Sequence, residues 1–155
     1  MKKSIFFLLV LSVTSFMFAE KRISPKKLPQ NTIEFISQHF PSSKIKHVEF
    51  DHDEFEVKLD SGVKIEFDLD GVWETIKSKR GLPTTMLPKL ASDYLLLTHP
   101  GVNVVKIEQN FGNFYEVEHK EGVEIFLSLT GEVINEKKKL QKKGCLKSNI
   151  IICTY

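Results

Sequence analysis

The chain carries one pattern twice, and that duplication limits what it can fold into more than any other feature. Leu28-Pro29, a helically spaced segment and Phe40-Pro41 return as Leu87-Pro88, a similar segment and His99-Pro100, 59 positions on. Phe55-Glu56-Val57, Gly62-Val63, Ile65 and Gly71 return as Tyr115-Glu116-Val117, Gly122-Val123, Ile125 and Gly131, now 60 positions on. One extra residue between Asn110 and Asn113 accounts for the change of offset. Repetition at such a period marks a supersecondary unit whose copies share a core.

Within each copy the apolar period changes from near 3.6 to 2. Pro29, tolerated in a first turn, opens a helix with Ile33, Ile36 and Phe40 on one face, and Pro41 ends it. The second helix runs from Pro88 to Thr98 with Leu90, Tyr94 and Leu97 on one face. Leu95 and Leu96 make it apolar nearly all round, so it is expected to be the more deeply buried of the two. After each helix, alternation takes over. In the first copy the strands are Ile45 to Phe50, then Phe55, Val57 and Leu59 against Glu56, Lys58 and Asp60. Next come Val63, Ile65, Phe67 and Leu69 against Lys64, Glu66, Asp68 and Asp70, and a fourth strand with Val72, Trp73 and Ile76. Ser61-Gly62 and Asp70-Gly71 are the turns. The second copy gives Val104 to Glu108, Phe114 to His119, Val123 to Leu129 and Glu132 to Ile134.

The expected fold is therefore α+β. It is a tandem duplication of a helix plus a four-stranded antiparallel sheet, with helices on one face and the other face open. The repeats span 28–76 and 87–134 inside a domain of 20–136. Lys21 to Lys27 reads as a lead-in without periodicity, and Lys77 to Met86 as an exposed linker.

Residues 1–19 read as a secretory signal: Lys2 and Lys3, an apolar run from Ile5 to Phe18, and small Ala19 at the cut. The rival reading, an uncleaved anchor, needs a run of about 20 apolar residues, and this one is shorter. With the signal removed, a periplasmic or secreted protein without a stable membrane anchor is expected. From Glu20 to Glu136 there are 14 Lys and Arg against 20 Asp and Glu, whereas 137–155 holds six Lys and no acid. Acidic repeats argue against a nucleic-acid partner. In the basic tail, Cys145 and Cys153 either pair in the oxidising compartment, stay as thiols, or pair between chains.

The segment Glu54 to Ile76, "EFEVKLDSGVKIEFDLDGVWETI", preceded by Leu-Pro, a helix and Phe-Pro, resembles the PepSY-like periplasmic proteins. Those are described as similar in fold to β-lactamase inhibitor proteins. The likeness covers nearly all of Leu28 to Glu136. The second copy departs from it, with Leu127-Ser128 for Phe67-Asp68 and Val133 for Trp73. The resemblance implies a small exported binding or inhibitory module, and it brings no catalytic motif.

The residues themselves offer little chemistry. Asp68-Leu69-Asp70-Gly71 has the start of a calcium loop, yet Val72, Trp73 and Glu74 follow where further ligands should stand. Asp51-His52-Asp53-Glu54 reads as a solvated hairpin tip, and the five histidines lack zinc-site spacing. Ser61 and Ser128 lie outside any nucleophile elbow. No metal, cofactor or catalytic residue is assigned. The open sheet face is the candidate site, with Glu56, Lys58, Lys64, Glu66 and Asp68 from the first copy. The second copy adds Glu116 or His119, Glu124, Phe126 and Ser128. Phe126 stands where the first copy has Glu66, either as an aromatic anchor for a partner or as a residue covered by the tail. Trp73 belongs either to this face or to the core. The expected function is an exported, non-enzymatic binding module, inhibitory in its sharper form. It would engage a protein or peptide partner in the envelope through the open face. The alternative is an envelope sensor that binds cations or a small ligand through the acidic repeats.

Overall fold

The computed structural model describes residues 21–51, 53–110 and 113–139. The expected leader and the pair Cys145 and Cys153 lie outside the described residues. The strands are β1 (Lys21–Ile23), β2 (Ile45–Asp51), β3 (Glu54–Leu59), β4 (Lys64–Phe67), β5 (Trp73–Lys77), β6 (Val104–Asn110), β7 (Phe114–His119), β8 (Val123–Ser128) and β9 (Val133–Lys138). Helix α1 (Gln30–His39) lies between β1 and β2, and α2 (Lys89–Thr98) between β5 and β6.

Both helices are framed by the repeated prolines. Pro29 and Pro88 occupy the N-cap positions, and Phe40 and His99 the C-caps. The repeated glycines explain why Leu-Pro and the turn before the last strand recur together. Gly71 (φ +76°) lies against the start of α1, where an added Cβ would stand 2.6 Å from Thr32 Oγ1 and 2.8 Å from Pro29 Cβ. Gly131 (φ +93°) lies against the start of α2, and its Cβ would stand 2.7 Å from the Ala91 backbone nitrogen. Only glycine gives both the left-handed backbone and the close approach. Asn31 Nδ2 donates to the Asp70 carbonyl at 2.6 Å, tying the first of these junctions.

The four-stranded units expected from the repeat are joined into a single sheet. All nine strands form one antiparallel sheet in chain order. The seam is β5 against β6, with Thr75 opposite Glu108, Ile76 opposite Ile107 and Lys77 opposite Lys106. A strand ending each unit would leave unpaired N–H and C=O groups along an edge. Pairing the copies removes two such edges and buries Ile76 and Ile107 completely. Strand β1 falls in the expected lead-in, where Lys21, Arg22 and Ile23 pair with Phe50, Glu49 and Val48. Three residues are too few to show a period. At the other end, β9 runs on to Lys138, beyond the expected stop at Ile134.

One face of the sheet carries the core. Val48, Val57, Ile65, Ile76, Ile107, Val117 and Ile125 stand side by side across successive strands, each with no exposed surface. Each such side chain contributes about 1.5–3 kcal/mol by leaving water. Trp73 lies on this side, stacked between Phe35 (5.9 Å) and Tyr115 (6.1 Å), so one aromatic stack spans both repeats.

Helix α2 departs from expectation. Its buried residues are Ala91 and Leu95, in line with Leu87 just before the helix, while Leu90, Leu96 and Leu97 are exposed, Leu97 by 82%. It is therefore not the more deeply buried helix. Ala91 is the reason: the Gly131 turn approaches the helix there, and the smallest side chain faces the sheet while the leucines flanking it turn outward.

Candidate functional site

Strand parity carries the polar residues to the opposite face, where they form two adjacent rows. One row reads Glu49, Glu56, Glu66, Thr75, Glu108, Glu116, Phe126 and Asn135 across β2 to β9. Its neighbour reads Lys58, Lys64, Lys77, Lys106, Glu118, Glu124 and Lys137 across β3 to β9.

In the first repeat the rows neutralise each other. Lys58 Nζ lies 2.7 Å from both Glu49 Oε2 and Glu56 Oε1. Lys64 joins Glu56 to Glu66, and Lys77 Nζ lies 3.2 Å from Glu66 Oε1. Hydrogen bonds to Glu49 and then Glu56 hold the Lys58 ammonium above its ordinary range. Burial works against the charge of Lys64, but bonds to Glu56 and Glu66 leave it raised. Burial likewise opposes the Glu66 carboxylate, and Lys64 and Lys77 together pull it below the usual value. Asp68 is committed elsewhere, its Oδ1 accepting from the Val72 N–H at 2.8 Å to close the β4–β5 turn. Ser128 has the same task, accepting from the Glu132 N–H at 3.0 Å.

The second repeat presents a different surface. Phe126 lies on the open face, 6.0 Å from the Phe114 ring, with Lys137 Nζ 5.0 Å from its centroid. Phe114 and Phe126 occupy the positions of Glu54 and Glu66. The half-buried ring is thus partly covered by Lys137, the first residue of the basic segment. Sequence reasoning singled out Phe126 and missed Phe114, although the same comparison with Glu54 was there to be made. Glu116, opposite Phe126 and two residues along β7 from Phe114, has no ion pair among the described residues. Burial raises its pKa, as do Glu108 and Glu124, against the pull of Lys106. Glu124 and Glu118 are held by Lys139, at 2.5 and 3.3 Å.

His119 is not on this face. It is 1% exposed on the helix side, with neither ring nitrogen hydrogen-bonded, its ring 4.7 Å from that of His99. Parity along β7 requires this, since Val117 two residues earlier is in the core. Burial first, then His99, lowers its pKa. His99 Nε2 lies 3.3 Å from Glu136 Oε2, which also accepts from the Tyr94 hydroxyl at 2.9 Å. Among the described residues, no group of three or more His, Cys, Asp or Glu is arranged to hold a metal ion.

Among the described residues, a nine-stranded antiparallel sheet with two helices on one side and a polar, aromatic-bearing face on the other defines an α+β fold. Its repeat matches a known family model twice, over residues 16–69 and 53–135. The chain belongs to that family, the PepSY-like proteins, described as "Putative beta-lactamase-inhibitor-like". It is similar to a solved structure from Bacteroides thetaiotaomicron described as a "putative calcium-regulated periplasmic protein". The two share 30% identity over 77% of this chain and 97% of that one, with a TM-score of 0.70. A periplasmic protein of the DUF2874 family from Bacteroides vulgatus shares 28% identity over 79% of this chain and 99% of that one, TM-score 0.69. A second Bacteroides vulgatus periplasmic protein, of unknown function, gives 28%, 77%, 100% and 0.69. No curated protein matches the chain.

Proposed function

We infer that the protein is a periplasmic, non-enzymatic binding module that engages a protein or peptide partner through the second-repeat half of its open sheet face. The observation that carries this reading is the Phe114–Phe126 pair, set where the first repeat has Glu54 and Glu66. Docking on the first repeat would strip water from a ladder of charges that already satisfy one another, at a cost their pairing does not return. Around Phe114 and Phe126 the balance reverses. Aromatic area is available to bury, and Glu116 offers an unpaired carboxylate to a partner's cation. An inhibitory role is the sharper form, in which the face occludes a hydrolase, and the family description supports it.

A photo-crosslinking side chain at Phe126, introduced in cells of the source organism, should join the protein to a discrete envelope partner. The same group at Glu66 should not. Equal yields at both positions, or none at either, would remove the second-repeat face from consideration. The alternative, a sensor that binds cations through acidic repeats, draws on the description of the Bacteroides thetaiotaomicron relative. Calcium should raise the melting temperature under that reading and leave it unchanged under the first.

A further inference from the structure

We propose that a pocket at the seam of the two repeats binds a small organic anion carrying two or three negative charges. This site shares Lys64, Lys77 and Glu118 with the open face but is lined by neither Phe114 nor Phe126.

The pocket, of about 830 Å³, is walled by three turns distant in sequence: the Asp60–Gly62 hairpin, the Ser78–Arg80 segment and the His119–Lys120 turn. It exists only because β5 pairs with β6 and brings these turns to one end of the sheet. Its volume lies in the range of small-ligand sites, about 300–1,000 Å³.

Charge identifies the ligand class. Over residues 20–136 acids outnumber bases by 20 to 14. Yet five of those 14 cations, Lys64, Lys77, Lys79, Arg80 and Lys120, line this one pocket against two acids, Asp60 and Glu118. Both acids are engaged. Asp60 Oδ1 accepts from the Lys44 N–H at 2.9 Å, and Glu118 pairs with Lys139 at 3.3 Å. Lys64 and Lys77 are tied to Glu56 and Glu66. Lys79 and Lys120 have no ion pair among the described residues, and Arg80 reaches only the Ser61 carbonyl, at 3.4 Å. Three cations, Lys79, Arg80 and Lys120, therefore converge on one concavity opposed there only by the Asp60 carboxylate, in a domain that is otherwise acidic. A ligand with two or three negative charges neutralises them, and Val105 with the lysine stems gives its carbon skeleton an apolar wall. The arginine fork suits a carboxylate or phosphate equally.

The test uses the chain from Glu20 to its end, titrated with citrate and with pyrophosphate by calorimetry and amide chemical shifts at low salt. At least one probe should bind and shift Ser78 and Lys120; which one distinguishes a carboxylate from a phosphate ligand. The variant Lys79→Glu/Lys120→Glu should weaken binding about tenfold or more, as loss of steering and direct pairing requires. Lys26→Glu/Lys27→Glu, remote from the pocket, should bind as the parent does. Phe126→Glu should leave anion binding intact, which keeps failure here distinct from failure of the partner-binding face. No shift with either probe would overturn the proposal, as would equal weakening by the remote pair, which would mean diffuse attraction to net charge.

Discussion

The two repeats share a backbone plan but finish their helix-side cores in opposite ways. At four equivalent positions the first has Phe35, Phe40, Leu59 and Ile76, and the second has Tyr94, His99, His119 and Glu136. The first set is apolar, with Phe40, Leu59 and Ile76 buried. The second is a titratable cluster, linked by Glu136 to Tyr94 and His99 and by ring contact to His119. Position in the sheet explains the difference at its origin. Ile76 lies in β5, covered by β6. Glu136 lies in the edge strand β9, where its side chain keeps 40% of its surface in water and a carboxylate is tolerated. The open faces differ as well, a closed ladder of charges in one copy and an aromatic pair in the other. Duplication preserved the hydrogen-bonded frame while side chains changed on it, at the edge strand (Glu136) and within fully paired strands (His119, Phe114 and Phe126).

The comparison breaks most severely if the edge residue is moved inside. Ile76→Glu places an unpaired charge in the fully buried seam and should cost about 3–5 kcal/mol or abolish folding. Its mirror, Glu136→Ile, should change urea stability by less than about 1.5 kcal/mol, the scale of the hydrogen bonds lost. Comparable losses for the two would mean that edge and interior are not distinguished.

The glycines sharpen the comparison next. Gly131→Ala meets backbone at 2.7 Å in a left-handed conformation and should lose about 3 kcal/mol. Gly71→Ala meets mainly side chains and should lose less. Gly62→Ala has open space around it, so only the backbone strain of about 1–2 kcal/mol remains. Denaturant midpoints in that order would support the helix-turn junction as the reason the glycines recur.

A smaller effect follows from His119, whose folded pKa is depressed by burial and then by His99, against Glu121 and Glu136. Below its unfolded value of about 6.5, the unfolded chain binds a proton that the folded chain resists. Stability therefore falls as pH drops from about 6.5 toward the folded pKa. His119→Leu, which restores the first-repeat residue, should flatten that part of the urea-midpoint profile between pH 7.5 and 5. An unaltered slope would assign the acid sensitivity to other groups. Smallest of all, Lys64→Ala on the half-buried ladder leaves Glu56 to Lys58 and Glu66 to Lys77, so it should cost about 1 kcal/mol, with salt reducing even that.

Much of the frame was legible because its signals are local. Prolines delimit α1 and α2 to within a residue, and the alternation from Phe55 to Phe67 names both faces of β3 and β4. What was missed depended on contacts between distant segments. Leu90, Tyr94 and Leu97 have helical spacing, as do Leu87, Ala91 and Leu95; only the docked Gly131 turn selects the second set. Three residues of β1 have no period to read. Phe114, by contrast, was legible through its alignment with Glu54, which the reading of Asp51 to Glu54 as a hairpin tip kept out of the strand comparison.

Taken alone, the sequence determined that there are two copies, that each is a helix followed by an antiparallel meander, and which strand residues are apolar, since propensity and periodicity act within a few residues. Tertiary structure decided that the copies join through β5 and β6, that His119 is sealed beside His99, and that three separate turns gather cations around one cavity. Those outcomes depend on register and on which edges are covered, and both are set by pairing between residues far apart in the chain.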